Sequence, residues 1–343
     1  MQFWGSPVQK RAILMLGGLF IANLVAWGWA FHAFYGHAAL IGTALLAWSY
    51  GLRHAVDADH IAAIDNVTRK LMQQDKKPVA VGAFFSLGHS TIVILASLAI
   101  ALATSHLSER FSWFHEVGGV IGTSVSAIFL LVLALINFNI LCSVWRRFNQ
   151  VKATGTVEDH GLDEMIAGGL MSRIYHRLFK LITHSWQMYL VGFLFGLGFD
   201  TATEIGVLGI SAAGASQGMS IWSIMVFPAL FTSGMALIDS LDNLVMIKAY
   251  GWAFEKPLRK LYYNLTITAT SVVVAAFIGG AEALGLLVDK LSLHGLLWHW
   301  VETLNDNLGN AGFVVIGLMV LCWFVSLVNY RMRGYDRILE DRS

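Results

Sequence analysis

The chain has 343 residues, of which 56% are hydrophobic and only 13% are charged, whereas an ordinary soluble domain carries about 25% charged residues. The net charge of +1 gives no indication of a nucleic-acid partner. The two cysteines lie in separate apolar runs, which argues against a disulfide framework or a thiolate metal site, and no P-loop motif is present to bind ATP.

Apolar stretches long enough to cross a bilayer recur along the chain. A spanning helix needs about 20 apolar residues. The first stretch exceeds the apolar core of a secretory signal peptide, which is about 7–15 residues. The sequence therefore predicts an all-α, polytopic integral membrane protein with eight transmembrane helices, which in chain order are 12–34, 39–66, 79–104, 117–142, 187–213, 221–247, 262–290 and 311–330.

Lysine and arginine are distributed unevenly over the connections between these spans. With the N-terminus inside, all but three of the 23 basic residues fall on inward-facing segments. Arg110 and Lys290 lie outside, and Arg53 lies within a span. Because basic residues accumulate on the cytoplasmic side of membrane proteins, this distribution predicts that both termini are cytoplasmic.

The long connection after the fourth span divides the predicted single transporter domain, 1–343. A first half (1–144) and a second half (187–343) flank a cytoplasmic loop (145–186). The loop ends in the basic amphipathic stretch SRIYHRLFKLITHSW, which is typical of a helix on the inner leaflet. A regulatory metal sensor in this loop is the alternative interpretation.

Spans two and five share a pattern, as do spans three and six. YGLRHAVDADHI resembles FGLGFDTATEI, and FSLGHS resembles FTSGMA. Gly51 and Gly196 are 145 residues apart, and Phe85 and Phe231 are 146 apart. The nearly equal offsets indicate an internal duplication. An odd number of spans separates the copies, so the repeats would have inverted topology, as in many secondary transporters.

Span two contains an unusual density of charge in GLRHAVDADHI. A charged side chain at the bilayer centre costs at least about 2.5–3.5 kcal/mol on insertion scales. Arg53 can pair with Asp57, four residues on. On a regular helix His54, Asp57 and His60 share a face and Asp59 points away. Asp59 therefore faces a neighbouring helix, or the helix unwinds here.

Other spans supply further ligands. Membrane-embedded histidines and carboxylates greatly outnumber the one arginine, which predicts a bound cation; protons alone are the alternative. Neutral imidazole with carboxylate suits nickel, cobalt, zinc or iron, whereas calcium and magnesium prefer oxygen. Asp65, at the inner end of span two, is expected to be solvated. The predicted metal site draws on His54, Asp57, Asp59, His60, His89, Asp200, Glu204, Asp239 and Asp242.

Four segments together resemble the nickel/cobalt transporter (NiCoT) family of nickel permeases. They are RHAVDADHI (53–61), LGHSTIV (87–93), LGFDTATE (197–204) and GMALIDSLD (234–242). The resemblance implies that His54, Asp57, Asp59 and His60 bind or pass the metal. It also implies that His89, Asp200, Glu204, Asp239 and Asp242 assist.

The resemblance further implies uptake of Ni²⁺ or Co²⁺ through the cytoplasmic membrane of a prokaryote. The sequence thus predicts a secondary transporter, not an enzyme, that imports the metal by alternating access through a midplane His/Asp site. Its predicted partners are the divalent ion, as transported substrate and not as a cofactor, and the lipid bilayer. A metal exporter and an intramembrane His/Asp metalloenzyme are the alternatives.

Overall fold

The computed structural model describes residues 6–74, 76–102, 108–154, 182–198, 201–253 and 257–332. Over these residues the regular secondary structure is helical, without strands. Besides a 3₁₀ turn at Ser185–Gln187, the helices are α1 (Ser6–Ala33), α2 (Ala38–His54), α3 (Ala58–Gln73), α4 (Val81–Leu102), α5 (Ser108–Thr154), α6 (Met188–Phe195), α7 (Ala202–Ser216), α8 (Ile221–Ile224), α9 (Val226–Ala253), α10 (Pro257–Leu291), α11 (Leu296–Asp306) and α12 (Leu308–Met332).

Five helical segments of the described chain are long and apolar enough to cross a membrane, which confirms the prediction of an all-α polytopic membrane protein. An apolar part of α12, Ala311–Ser326, is shorter than such a span. Helix α5 continues to Thr154, into the predicted cytoplasmic loop, and residues 155–181 of that loop lie outside the described residues. The five segments are Pro7–Ala33, Val81–Leu102, Val120–Arg146, Ile221–Gly251 and Leu265–Leu291.

The second predicted span is divided between two helices. Helix α2 ends at His54, and Asp57 adopts extended backbone angles as the N-cap of α3. A Cβ atom added to Gly312 of α12 would overlap the Val56 carbonyl, so α12 approaches this break backbone to backbone. The sequence left two alternatives for Asp59, and the structure shows the second one, because the helix is interrupted here.

The fifth predicted span is divided in the same way. Helix α6 ends at Phe195, and Thr201 caps α7 by accepting a hydrogen bond from the Glu204 backbone N–H. Gly198, within this break, lies so close to Gly122 of α5 that a Cβ at position 122 would overlap it. Each break is therefore in contact with a glycine from a helix that is remote in sequence.

Two pairs of helices pack tightly around the breaks, α2 with α9 and α4 with α6. Gly51 on α2 lies against the Phe231 carbonyl on α9, and Gly192 on α6 lies against the Phe85 carbonyl on α4. In lipid, small residues at helix contacts permit this close approach. Large apolar side chains such as Leu14 and Val314 are instead exposed on the outside, as contact with lipid tails requires.

Candidate metal centre

Three histidine rings meet in the interior of the helical assembly. His54 is the last residue of α2, His60 lies in the first turn of α3, and His89 lies in the middle of α4. Their exposed fractions are 1%, 0% and 2%. The ring centroids are separated by 4.6 Å, 4.7 Å and 4.9 Å, and one nitrogen from each ring lies within 4.8 Å of the others.

The break between α2 and α3 produces this convergence. On a continuous α-helix, residues six positions apart are displaced by about 9 Å along the axis. The extended backbone at Asp57 interrupts the helix, and the His54 and His60 rings come to 4.6 Å. The interruption of the helix therefore brings the two imidazoles close enough to bind the same ion.

The His54 and His89 rings face each other with their Nε2 atoms 2.9 Å apart. Two nitrogen ligands at about 2.1 Å from one metal ion and at a right angle to each other are about 3.0 Å apart. The 2.9 Å between the two nitrogens is also a hydrogen-bond distance, and it is close to the separation that two ligands of one ion would need. A small shift would also accommodate other geometries.

The second nitrogen of His54 is held by a carboxylate. His54 Nδ1 lies 2.7 Å from Asp57 Oδ2, and the other oxygen of Asp57 accepts a hydrogen bond of 2.7 Å from Arg53. The Thr201 and Thr203 hydroxyls lie 3.3 Å and 3.2 Å from the same nitrogen. A carboxylate at Nδ1 fixes the tautomer and leaves the Nε2 lone pair for a metal ion.

His60 repeats this arrangement with a partner from α9. Its Nδ1 lies 3.3 Å from Asp239 Oδ2, which also accepts a hydrogen bond from the Ser86 hydroxyl. His60 Nε2 is buried and has no hydrogen-bond partner within the described part of the chain. A buried, unpartnered imidazole nitrogen beside two other imidazoles is suited to bind a cation.

Glu204 supplies a negative charge from the first turn of α7. Its Oε1 lies 2.7 Å from His89 Nε2 and 3.9 Å from His54 Nε2, and its Oε2 accepts a hydrogen bond of 3.0 Å from Thr201. Glu204 is 1% exposed. Three imidazoles and one carboxylate form a ligand set that suits a divalent transition metal.

The other predicted site residues have different positions. Asp57 and Asp239 lie behind the histidines as their hydrogen-bond partners. Asp59 is half-buried and makes no hydrogen bond or ion pair with the residues that the structure describes, although its charge acts on His54 and His60. Asp242 lies farther along α9, and Asp200 lies outside the described residues.

Sequence reasoning missed three contributors to this site. Ser86 donates to Asp239, the Phe85 ring packs edge-on against His60, and the Phe231 ring lies 5.5 Å from His54. The sequence held a signal for them, because Phe85 and Phe231 are the residues that marked the repeat. Ser86 lies three residues before His89 and therefore on the same face of α4.

The all-α fold, the apolar spans and the buried histidine–carboxylate cluster together define a membrane protein that handles a divalent transition-metal ion. Residues 40–329 match the NicO family, described as high-affinity nickel-transport protein. The chain therefore belongs to the NicO family of high-affinity nickel transporters. This is a family of transporters and not of enzymes, in which nickel and cobalt ions are substrates and not cofactors.

Named relatives cover nearly the whole chain. The high-affinity nickel transport protein of Cupriavidus necator is 54% identical over 334 residues, which are 97% of this chain and 95% of that protein. The hydrogenase nickel incorporation protein HupN of Bradyrhizobium diazoefficiens is 52% identical, covering 93% and 84%. The cobalt transport protein NhlF of Rhodococcus rhodochrous is 33% identical, covering 95% and 94%. No solved structure matches the chain.

Proposed function

We propose that this protein is a secondary transporter that imports Ni²⁺, Co²⁺ or both across the cytoplasmic membrane of a prokaryote. The observation that carries the proposal is the convergence of three buried imidazoles with Glu204 where two interrupted helices meet. The names of the relatives, which include both nickel and cobalt transport proteins, support the choice of metals.

In this proposal His54, His60, His89 and Glu204 bind the ion directly. Asp57 and Asp239 act through the histidines, because each lies at the Nδ1 atom of its partner. Asp59, in the first turn of α3, adds negative charge near His54 and His60. The ligands must be deprotonated to bind metal, so protons compete with the ion.

Reciprocal backbone contacts support the proposed inverted repeat. Gly88 on α4 lies against the carbonyl of Tyr189 on α6, and Gly234 on α9 lies against the carbonyl of Trp48 on α2. Positions 88 and 234 differ by 146 residues, and positions 48 and 189 differ by 141. Gly51 with Phe231 and Gly192 with Phe85 show the same two offsets, so in these contacts the counterpart of Gly51 is Gly192 and not Gly196.

The two interrupted helices also place a polar side chain at the same position after each break. His60 is the third residue of α3, and Glu204 is the third residue of α7. A site at the interface of two such repeats fits alternating access, in which one repeat moves against the other around the bound ion.

Eight spans with both termini in the cytoplasm complete the proposal. In this topology the interrupted helices α2–α3 and α6–α7 are each one span, and α12 is the eighth. Inward movement of each positive charge gains about 2.3 kcal/mol per 100 mV of membrane potential, which favours import of a divalent ion.

The decisive experiment is uptake of radioactive nickel and cobalt at nanomolar concentration by cells that express wild type or His54→Ala at equal abundance. We expect saturable uptake by wild type and its loss in the variant, because His54 Nε2 lies beside both His89 and Glu204. His299→Ala is the matched control, since the His299 side chain is 77% exposed. Normal uptake by His54→Ala contradicts the site, and accumulation below that of empty cells indicates an exporter.

A further inference from the structure

Two phenylalanine rings lie against the histidine centre, one from each half of the chain. Phe85 on α4 packs edge-on against the His60 ring with the centroids 4.7 Å apart, and its centroid lies 6.4 Å from that of His89. Phe231 on α9 lies 5.5 Å from the His54 ring. Each of the three imidazoles therefore has an apolar ring beside it, and both phenylalanines are 0% exposed.

The backbones of both phenylalanines are held by glycines. A Cβ on Gly192 of α6 would overlap the Phe85 carbonyl. A Cβ on Gly51 of α2 would overlap the Phe231 carbonyl in the same way. Because the main chain is held this closely, each ring can leave its place only by changing rotamer, which the close packing of a buried interior opposes. The two rings are therefore fixed parts of the centre.

The two rings correspond to each other in the proposed repeat. Phe85 and Phe231 are 146 residues apart. His54 ends α2 and Phe195 ends α6, and these two residues are 141 apart. Phe231 contacts the first of them at 5.5 Å and Phe85 contacts the second at 5.3 Å, with different inclinations of the rings. The second repeat thus has a phenylalanine at the position where the first repeat has a proposed metal ligand.

The packing behind Phe85 is apolar as well. The ring of Phe129 on α5 lies 5.7 Å from that of Phe195. Phe85 and Phe195 belong to one buried apolar cluster, which also contains Ile61 and Leu130. A buried water molecule needs about two to four polar partners. An aromatic and aliphatic surface offers none, so this side of the centre disfavours water.

The number of water ligands that an ion keeps distinguishes the metals. Mg²⁺ demands near-ideal octahedral geometry, dehydrates reluctantly and usually keeps several waters. Nickel also accepts four nitrogen and oxygen ligands in a tetragonal arrangement, and imidazole suits it well. The three histidines and Glu204 offer four ligands from the protein. An ion that must keep several waters therefore has no space beside the two rings.

We infer that Phe85 and Phe231 determine the specificity of the centre by excluding water from it. An ion is bound only if it exchanges its waters for imidazole and carboxylate, as Ni²⁺ and Co²⁺ do, and Mg²⁺ is rejected. The apolar surroundings of a metal site control solvent access in this way. The inference rests on the proposed function, in which the three histidines and Glu204 bind the transported ion.

The test is the visible absorption of Co²⁺ bound to the full-length protein purified in detergent. Co²⁺ with six ligands around a centre of symmetry absorbs weakly, whereas Co²⁺ with four or five ligands that lack this symmetry absorbs strongly. We expect strong absorption from wild type. Phe85→Ala and Phe231→Ala should absorb several-fold more weakly, because the bound ion is a polar partner for water in the vacated space.

Phe227→Ala is the matched control and should keep the absorption of wild type. Phe227 lies one turn before Phe231 on α9, is 1% exposed and packs against Phe34. Its truncation therefore leaves a similar cavity away from the histidines. Phe85→Leu, which refills most of the space with apolar atoms, should also keep most of the absorption.

Competition between ions gives a second readout that a loss of stability alone would not change. We expect the preference for Ni²⁺ over Mg²⁺, measured as the ratio of their dissociation constants, to fall about tenfold in Phe85→Ala and Phe231→Ala. An unchanged ratio together with unchanged absorption overturns the inference.

Wild type alone also tests the inference, even if neither alanine variant folds. Strong Co²⁺ absorption by wild type supports the exclusion of water, and the weak absorption of six ligands overturns it. Weak absorption by a protein that binds Co²⁺ refutes only the role of the phenylalanines. Wild type that binds neither Co²⁺ nor Ni²⁺ refutes the proposed function itself.

Discussion

The two interrupted helices approach the metal centre with different chemistry. The break between α2 and α3 contributes two imidazoles, each with a carboxylate at Nδ1. The break between α6 and α7 contributes one carboxylate, Glu204, held by the hydroxyl of the N-cap residue Thr201. His60 and Glu204 are each the third residue of their helix, so the two breaks present an imidazole on one side and a carboxylate on the other.

The three imidazoles come from the first half of the chain, whereas the carboxylate that lies among them, Glu204, comes from the second half. The proposed preference for a transition metal rests on these imidazoles. The second half provides Glu204 directly and Asp239 behind His60. Substitutions on either side should therefore change different properties of transport.

The largest effect is expected from Glu204→Gln, which keeps the side-chain shape and removes the charge. We expect the half-saturating nickel concentration for uptake to rise by more than about 100-fold, because the loss of an outer-shell partner alone costs about 10–100-fold and Glu204 is a proposed direct ligand. The measurement is initial uptake against nickel concentration. Glu302→Gln, on a side chain that is 48% exposed, is the control. Unchanged half-saturation would show that the Glu204 charge does not contribute to binding of the ion.

A smaller effect is expected from Gly312→Ala, which tests whether the first break depends on α12. A Cβ there would overlap the Val56 carbonyl, and overpacking costs about 1–3 kcal/mol. We therefore expect a lower midpoint of thermal unfolding in detergent. Gly122→Ala applies the same test to the second break.

Gly317→Ala on the same helix is the control, because a Cβ there meets nothing within 4 Å. An equal midpoint for Gly312→Ala and Gly317→Ala would mean that the break does not depend on this contact.

The smallest effect is expected from Ser86→Ala, which removes a donor to Asp239 without touching a proposed ligand. Because Asp239 orients His60, we expect nickel affinity to fall by about tenfold. The measurement is nickel binding to the purified protein. Ser49→Ala is the control, since the Ser49 hydroxyl bonds only to Leu45 of its own helix. Equal nickel affinity in Ser86→Ala and Ser49→Ala would show that Ser86 does not affect binding of the ion.

Much of this centre could be predicted from residue types alone. Histidines and carboxylates in apolar spans are costly unless they bind something, so His54, His60, His89 and Glu204 were identifiable without a structure. Their arrangement could not be predicted in the same way. The shared helical face assigned to His54 and His60 assumes a continuous helix, and the helix ends between them.

The interruptions depend on contacts that are remote in sequence. Gly312 is more than 250 positions from Val56, and the residue pattern of one helix does not indicate a contact with a helix so remote in sequence. The expectation that Asp65 is solvated was wrong for the same reason. Its side chain is 1% exposed, and its hydrogen-bond partners Tyr250 and Ser271 come from α9 and α10. Tertiary contacts of this kind decide which polar groups are buried.

Asp239 touches α4 in two ways, and together they restrict how these helices can move. Its carboxylate accepts a hydrogen bond from Ser86, and its backbone carbonyl lies against Gly82, where a Cβ would overlap it. A slide of α4 by about one helical turn would bring the Cβ of Phe85 or Ser86 toward this point, whereas a rotation about the crossing point preserves the contact. The close contact at the crossing of α4 and α9 therefore opposes sliding of the two helices, and the hydrogen-bond partner of His60 lies at this crossing.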